Sequence, residues 1–413
     1  MTTRAFLRAT KIVLSGTAVA QLIPLLGSLL IARLYAPAEF GTFSTWLGVV
    51  MTAAVLVTGR LEMALGVEPD GEPRRFAMMA TLATIVGVCS ALLVVAIGAY
   101  WSVPAIRGLS LGLILVFLPA TLLAAVVQTW QSWAAAEGLY RELSWIRIAQ
   151  ALGVTGVQVV VGWFAPDAVS LACGQVTGVL SGVCVAAYFM PIAPHSFKPW
   201  SSFRVKLKAF WVSHRRFPLL ALPADFINTT AGQLPLLIIA SRFGAESSGL
   251  FALTARVLGA PIGLLGAAVL DVFKRSAATS YREQGHCRED YVRTFQLLAS
   301  LGAVLALGVM LVAEPMFVFA FGEPWRKAGV IAIWLMPMFA MRFVASPLSY
   351  VFYIAGKQQV DLVWQCALLA MTLSAFLLPS DFEASVKAYA VGYASLYVVY
   401  LVLSYRYSMG KPA

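Results

Sequence analysis

The chain has 413 residues, of which 60% are hydrophobic and only 12% charged, with a mean hydropathy of +0.82. Soluble domains carry roughly 25% charged residues and need a wetted polar exterior, so the composition excludes a soluble protein and points to lipid as the solvent. The formal net charge of +11 does not indicate nucleic acid, because the basic residues sit in short segments between apolar runs, where they orient helices and meet anionic headgroups.

A spanning helix needs about 20 mostly apolar residues, and about twelve such runs occur along the chain. The first, Ile12–Leu34, comes after Arg4, Arg8 and Lys11. Ala18-Val19-Ala20 resembles a signal-peptidase site, yet the run continues far enough to span and reads as a retained helix. Then come Phe40–Gly66, Phe76–Trp101, Leu109–Trp133, Leu143–Ala165 and Ala168–Pro191. In the last of these Ser170, Gly174, Gly178 and Gly182 recur every fourth residue, a spacing that lets helices approach closely.

The longest hydrophilic segment, Ile192–Arg216, comes next. Within it Phe203, Leu207, Phe210 and Trp211 share one helical face, while Arg204, Lys206, Lys208 and Arg215 are cationic. That is the pattern of a helix lying in the headgroup layer. The remaining runs are Phe217–Phe243, Gly249–Phe273, Thr294–Val312, Ala328–Gly356, Val360–Leu378 and Ala388–Tyr405, and Gly259 and Gly263 repeat the small-residue spacing.

The expected fold is therefore an all-α integral membrane protein with about twelve transmembrane helices. Residues 1–191 and 217–413 form two six-helix bundles joined by the linker 192–216. With the N-terminus in the cytoplasm, the outer segments hold only Arg33, Arg107, Arg242, Arg326, Lys327 and Lys387, and most other Lys and Arg fall inside. This asymmetry places both termini in the cytoplasm.

An internal repeat supports the division. Gln21, Pro24, Arg33, Glu39, Gly41 and Phe43 recur in order as Gln233, Pro235, Arg242, Glu246, Gly249 and Phe251. Both copies start inside and end outside, so the halves are parallel repeats about a pseudo-two-fold axis along the membrane normal, an arrangement suited to alternating access.

Ionisable groups within apolar runs are costly, by about 2.5–3.5 kcal/mol on insertion scales, and so mark functional positions. Arg342 lies near the middle of its run and Arg256 about two turns below the outer surface. Arg60 and Arg147 lie near cytoplasmic ends, where they are able to snorkel. Asp225, about two turns into the seventh run, is the candidate for proton or ion coupling, with structural pairing to an arginine as the alternative. Glu62 shares the coupling assignment; two residues from Arg60, it is expected on a different helical face. The surplus of guanidinium favours an anionic passenger and suits phosphate through bidentate hydrogen bonds. Asn228, Gln128, Gln150 and Gln158 are candidate sugar contacts, or else helix-to-helix glue.

No catalytic residues are assigned. The five cysteines, Cys89, Cys173, Cys184, Cys287 and Cys366, lack CxxC spacing, and His195, His214 and His286 fall in loops. Neither a metal nor a cofactor is expected. No GxxxxGK[ST] occurs, so the chain carries no ATP engine of its own.

Three motifs now bear on family. They are Arg33-Leu34-Tyr35-Ala36-Pro37-Ala38-Glu39-Phe40-Gly41, Gly249-Leu250-Phe251 through Arg256 to Pro261, and Phe321-Gly322-Glu323-Pro324-Trp325 followed by Ser346-Pro347 and Gly356-Lys357-Gln358. In these the chain resembles the Wzx-type oligosaccharide flippases of the multidrug/oligosaccharidyl-lipid/polysaccharide exporter superfamily. Phe43 and Phe251 stand where that family often has tyrosine.

The resemblance implies two six-helix lobes around a cationic cavity in a bacterial cytoplasmic membrane. It implies a polyprenyl-diphosphate-linked oligosaccharide as substrate, with Arg342, Arg256, Arg60 and Arg147 as its diphosphate contacts. Membrane lipids, and the polymerase and chain-length components of a surface polysaccharide pathway, are the implied partners. Two rivals remain: a multidrug exporter of the same superfamily, which would want an acidic cavity, and a membrane polymerase or glycosyltransferase, which would present large extramembrane loops or a paired catalytic motif.

Overall fold

The computed structural model describes residues 3–102, 110–191 and 200–410. Arg107, His195, Lys198 and Lys411 lie outside them. Among the described residues the chain is helical throughout, in the order α1 (Thr3–Leu34), α2 (Pro37–Thr58), a 3-10 turn (Leu61–Gly66), α3 (Glu72–Ser102), α4 (Leu111–Ala136), α5 (Tyr140–Gly162) and α6 (Ala168–Phe189). Next come α7 (Trp200–Ser213), α8 (Leu222–Gln284), α9 (Arg288–Phe321), α10 (Arg326–Leu348), the short α11 (Val351–Ile354), α12 (Gln358–Leu377) and α13 (Phe382–Ser408). Among the described residues eleven helical stretches are long and apolar enough to cross a bilayer. One of them, Phe217–Ala260, is broken at Gly244, whose φ of 85° and ψ of 174° no helix contains. Counting its two arms separately gives about twelve crossings, the number the hydropathy pattern predicts.

The two copies of the repeat break at matching points. In the first, Ala36 is extended (φ −67°, ψ 152°) and Pro37 opens α2, a first-turn position that proline favours because its missing N–H costs nothing there. In the second, Gly244 supplies the break two residues after Arg242 by adopting a positive φ that a side chain would resist.

The chain divides into two compact units, Met1–Gln233 and Leu234–Ala413. The division falls inside α8 rather than in the hydrophilic segment 192–216. The reason is local: Asp225, at the start of α8, pairs with Arg60, and Gln233 lies against Gly48.

In the first unit α5 and α6 lie backbone to backbone. A Cβ added at Gly178 would stand 2.1 Å from the Val154 nitrogen, so glycine is required there. The matching pair in α8 behaves differently: Gly259 has only an ordinary contact with Phe339, and Gly263 faces open space. The small-residue spacing is a packing seam in α6 and not in α8. The apolar face of α7 also departs from expectation. Phe203 and Phe210 are buried, their rings 5.8 and 6.2 Å from Phe76 of α3, and the Trp211 indole N–H donates to Thr84 Oγ1 at 3.1 Å. That face meets protein, because α3 offers an aromatic partner that lipid cannot better. Arg204, Lys206, Lys208 and Arg215 remain exposed.

In the second unit the core gathers Phe273, Tyr291, Leu298, Phe343, Leu348 and Val351 from α8, α9, α10 and α11. Four tyrosines along one face of α13, Tyr389, Tyr393, Tyr397 and Tyr400, are buried.

Candidate functional site

The ionisable groups of the first unit are organised around a break in the backbone. Helix α2 ends at Gly59 and Arg60, both with φ of 57°. Arg60 is the one non-glycine among the described residues in this left-handed region, which costs a side-chain-bearing residue about 1–2 kcal/mol. The strain directs the following residues into the 3-10 turn and folds the Arg60 side chain back over them. Its Nη1 donates to Glu62 Oε1 at 3.0 Å, and its Nε stands 2.6 Å from Asp225 Oδ2. Glu62 is almost fully buried and also accepts from Gln128 Nε2 at 2.9 Å.

Two expectations are thereby corrected. Arg60 and Glu62 do not point to different faces, because residues 61–66 are not α-helical. Arg60 is not a free diphosphate contact, since two carboxylates already hold it, and Gln128 is engaged by Glu62. With both acids ionised the cluster carries one positive and two negative charges. Glu62 Oε2 is buried without a hydrogen-bond partner among the described residues.

Arg147 lies in a neutral setting. Its Nη1 donates to Thr17 Oγ1 at 2.7 Å and its Nε to Gln131 Oε1 at 3.5 Å, while Gln131 Nε2 reaches Gln150 Oε1 at 3.4 Å. No carboxylate neutralises it among the described residues. Gln150 thus belongs to a polar network around Arg147. Gln158, in contrast, is a packing residue: it is buried, its side-chain Nε2 donates to Leu171 O at 2.9 Å, and its backbone carbonyl accepts from Tyr35 Oη at 2.8 Å. It is not available to a sugar. Asn228 is exposed.

The second unit leaves the two arginines within its spanning helices bare among the described residues. Arg256 on α8 and Arg342 on α10 are both exposed, and neither has a hydrogen-bond or ion-pair partner among the described residues. Thr254, two residues before Arg256, donates to Ala328 O of α10 at 3.0 Å. At about 1.5 Å per residue Arg342 is then about 21 Å further along α10 than this contact. Tyr389 and Tyr397 of α13 lie within electrostatic reach of Arg342.

Sequence reasoning missed Thr17 and Gln131 at Arg147, and a buried acid in the second unit. Asp361 accepts from Tyr400 Oη and from Gln365 Nε2 at 2.8 Å, and Trp364 stacks on Tyr400 with ring centroids 4.0 Å apart. The available signal was the spacing of Tyr389, Tyr393, Tyr397 and Tyr400, one face of α13 for three turns. Among the described residues no group of three or more His, Cys, Asp or Glu gathers as a metal site would require.

The profile of the family described as "Polysaccharide biosynthesis protein" matches residues 30–330. The chain belongs to this polysaccharide biosynthesis family. It is similar to the teichuronic acid biosynthesis protein TuaB of Bacillus subtilis (strain 168), at 22% identity over 179 residues. That match covers 42% of this chain and 37% of TuaB, so the chain spans little more than a third of the curated relative's length. Among solved structures it resembles the lipid II flippase MurJ in an inward closed conformation, with a TM-score of 0.69 and 12% identity over 95% of this chain and 86% of MurJ. It also resembles an inward-facing MATE family multidrug transporter of the MOP superfamily, with a TM-score of 0.67 and 12% identity over 93% of each chain. At such identity the likeness fixes the fold: this member of the polysaccharide biosynthesis family has the multispanning helical architecture of MurJ and the MATE transporters.

Proposed function

We propose that the chain is a flippase that carries a polyprenyl-diphosphate-linked oligosaccharide from the inner to the outer leaflet of a bacterial cytoplasmic membrane by alternating access, for surface polysaccharide assembly. It works as a transporter and not as an enzyme, with both termini cytoplasmic and the two six-helix lobes as its moving parts. The observation that carries this reading is the pair of guanidiniums, Arg256 and Arg342, without partners among the described residues and within the spanning helices of a polysaccharide biosynthesis family member. A guanidinium left facing hydrocarbon costs about 2.5–3.5 kcal/mol or more, and a phosphate is the ligand its planar fork matches best.

Separated along the bundle, Arg256 and Arg342 serve as successive stations for the diphosphate, with Arg147 and its neutral amides as a further contact. Asn228, exposed in α8, and Gln150 contact the sugar. Moving roughly two negative charges outward across an inside-negative membrane is favourable by about 4–5 kcal/mol per 100 mV. The membrane potential is therefore enough to bias the cycle. Coupling to a proton or ion through Asp225, with Glu62 beside it, is an addition the cycle does not require.

The test is flipping of a polyprenyl-diphosphate saccharide in proteoliposomes with an imposed potential. Arg342→Gln is expected to lower the rate at least about tenfold, with normal protein amount. Wild-type rates in that variant would remove Arg342 from the path, and transport indifferent to both potential and pH gradient would reject the proposed drive. A multidrug exporter would instead confer resistance to cationic drugs and ignore the saccharide.

A further inference from the structure

The second unit also carries a cleft that plays no part in the transport reading. It has a volume of about 570 Å³ and is lined by His286, Arg288, Glu289, Val292, Arg293 and Met409. These residues lie at the end of the unit that the charge distribution reads as cytoplasmic, at the turn from α8 into α9 and beside the end of α13.

Four observations converge there. Arg288 and Arg293 are exposed and have no ion pair among the described residues; the Arg288 Nε is steadied by Tyr405 Oη at 3.2 Å. His286 Nδ1 is buried with no hydrogen-bond partner among the described residues. Helix α9 begins here: the Cys287 N–H donates to Ser408 O at 2.8 Å, and Cys287 offers no side-chain cap to the amides of the first turn. The nearby acid Asp290 is turned away, accepting from Ser276 and from Ser280 Oγ at 2.5 Å on α8. Of the lining residues Glu289 alone is acidic.

We propose that this cleft binds a phosphate group. Guanidiniums, an imidazole and uncapped helix-terminal amides form the donor set that phosphate selects. Val292 and Met409 give the cleft an apolar wall, which suits the glycerol backbone of an anionic phospholipid in the cytoplasmic leaflet. A soluble phosphate compound offers the same headgroup chemistry, and the experiment separates the two.

The full-length protein in nanodiscs is compared in phosphatidylglycerol and phosphatidylcholine, and separately in detergent with inorganic phosphate, reading lipid retention by native mass spectrometry and Tm. Wild-type protein is expected to retain phosphatidylglycerol preferentially. The double variant Arg288→Gln/Arg293→Gln is expected to lose about tenfold in apparent affinity, while the outer-side control Lys327→Gln keeps wild-type retention. Glu289→Gln removes the repelling carboxylate and is expected to bind about twofold tighter, which keeps the test valid should the double variant fold poorly. A phosphate-dependent rise in Tm, lost in the double variant, with no lipid preference would assign the site to a soluble phosphate compound. Retention and Tm that respond to neither the double variant nor Glu289→Gln would overturn the site.

Discussion

The two units of the chain treat positive charge within the spanning helices in opposite ways. In the first, Arg60 is held by Glu62 and Asp225, and Arg147 by a hydroxyl and an amide. In the second, Arg256 and Arg342 are left unpartnered among the described residues, while Asp361 is satisfied by neutral donors, Tyr400 and Gln365. A guanidinium bound by its own carboxylates stabilises the fold and has little left for a ligand. One without partners contributes nothing to folding and retains its full capacity for an anion. Position in an apolar run therefore does not by itself identify a binding arginine. What identifies it is the absence of a carboxylate within reach.

Removing the arginines one unit at a time is expected to give the largest contrast. Arg60→Ala leaves two carboxylates facing each other, one of them buried, and is expected to destabilise the protein by about 3 kcal/mol, seen as a clear fall in Tm in detergent. Arg342→Ala is expected to change stability by less than about 0.5 kcal/mol. Equal losses from the two variants would show that the units do not differ as described.

A smaller effect tests the support beneath Arg60. Gln128→Ala removes a hydrogen bond to the buried Glu62 carboxylate and is expected to cost about 1.5 kcal/mol in the same unfolding measurement. No change would mean that water or another group replaces the amide.

Smaller again is a probe of the loop between the spanning helices of the second unit. Cys287 is buried, and burial together with the neighbouring Asp290 carboxylate pushes its thiol pKa up to about 11. Because the thiolate is the nucleophile, alkylation near neutral pH is expected to be about 100-fold slower in the folded than in the unfolded protein. The folded-state pKa lies above the unfolded one. Its contribution to stability is therefore complete below the ordinary thiol range and is lost as pH rises through about 11. Labelling as fast in the folded as in the unfolded state would refute this protection.

The sequence by itself determined the properties that are sums over many residues. Hydropathy located the spanning helices, because any long apolar run must close its backbone hydrogen bonds internally in lipid. The repeat placed matching breaks after Arg33 and Arg242, because proline and glycine restrict or free φ wherever they stand. The motifs pointed to the same family as the profile match over residues 30–330. Tertiary structure alone decided which charges meet. Arg60 reaches Glu62 because two consecutive positive-φ residues break the helical period on which their separation was judged, and it reaches Asp225 far along the chain. Gln158 packs while Gln150 joins a polar network, and Gly178 is a seam while Gly263 faces open space. Those outcomes depend on which helix lies alongside, and pair contacts between distant segments leave no local pattern in the residues that make them.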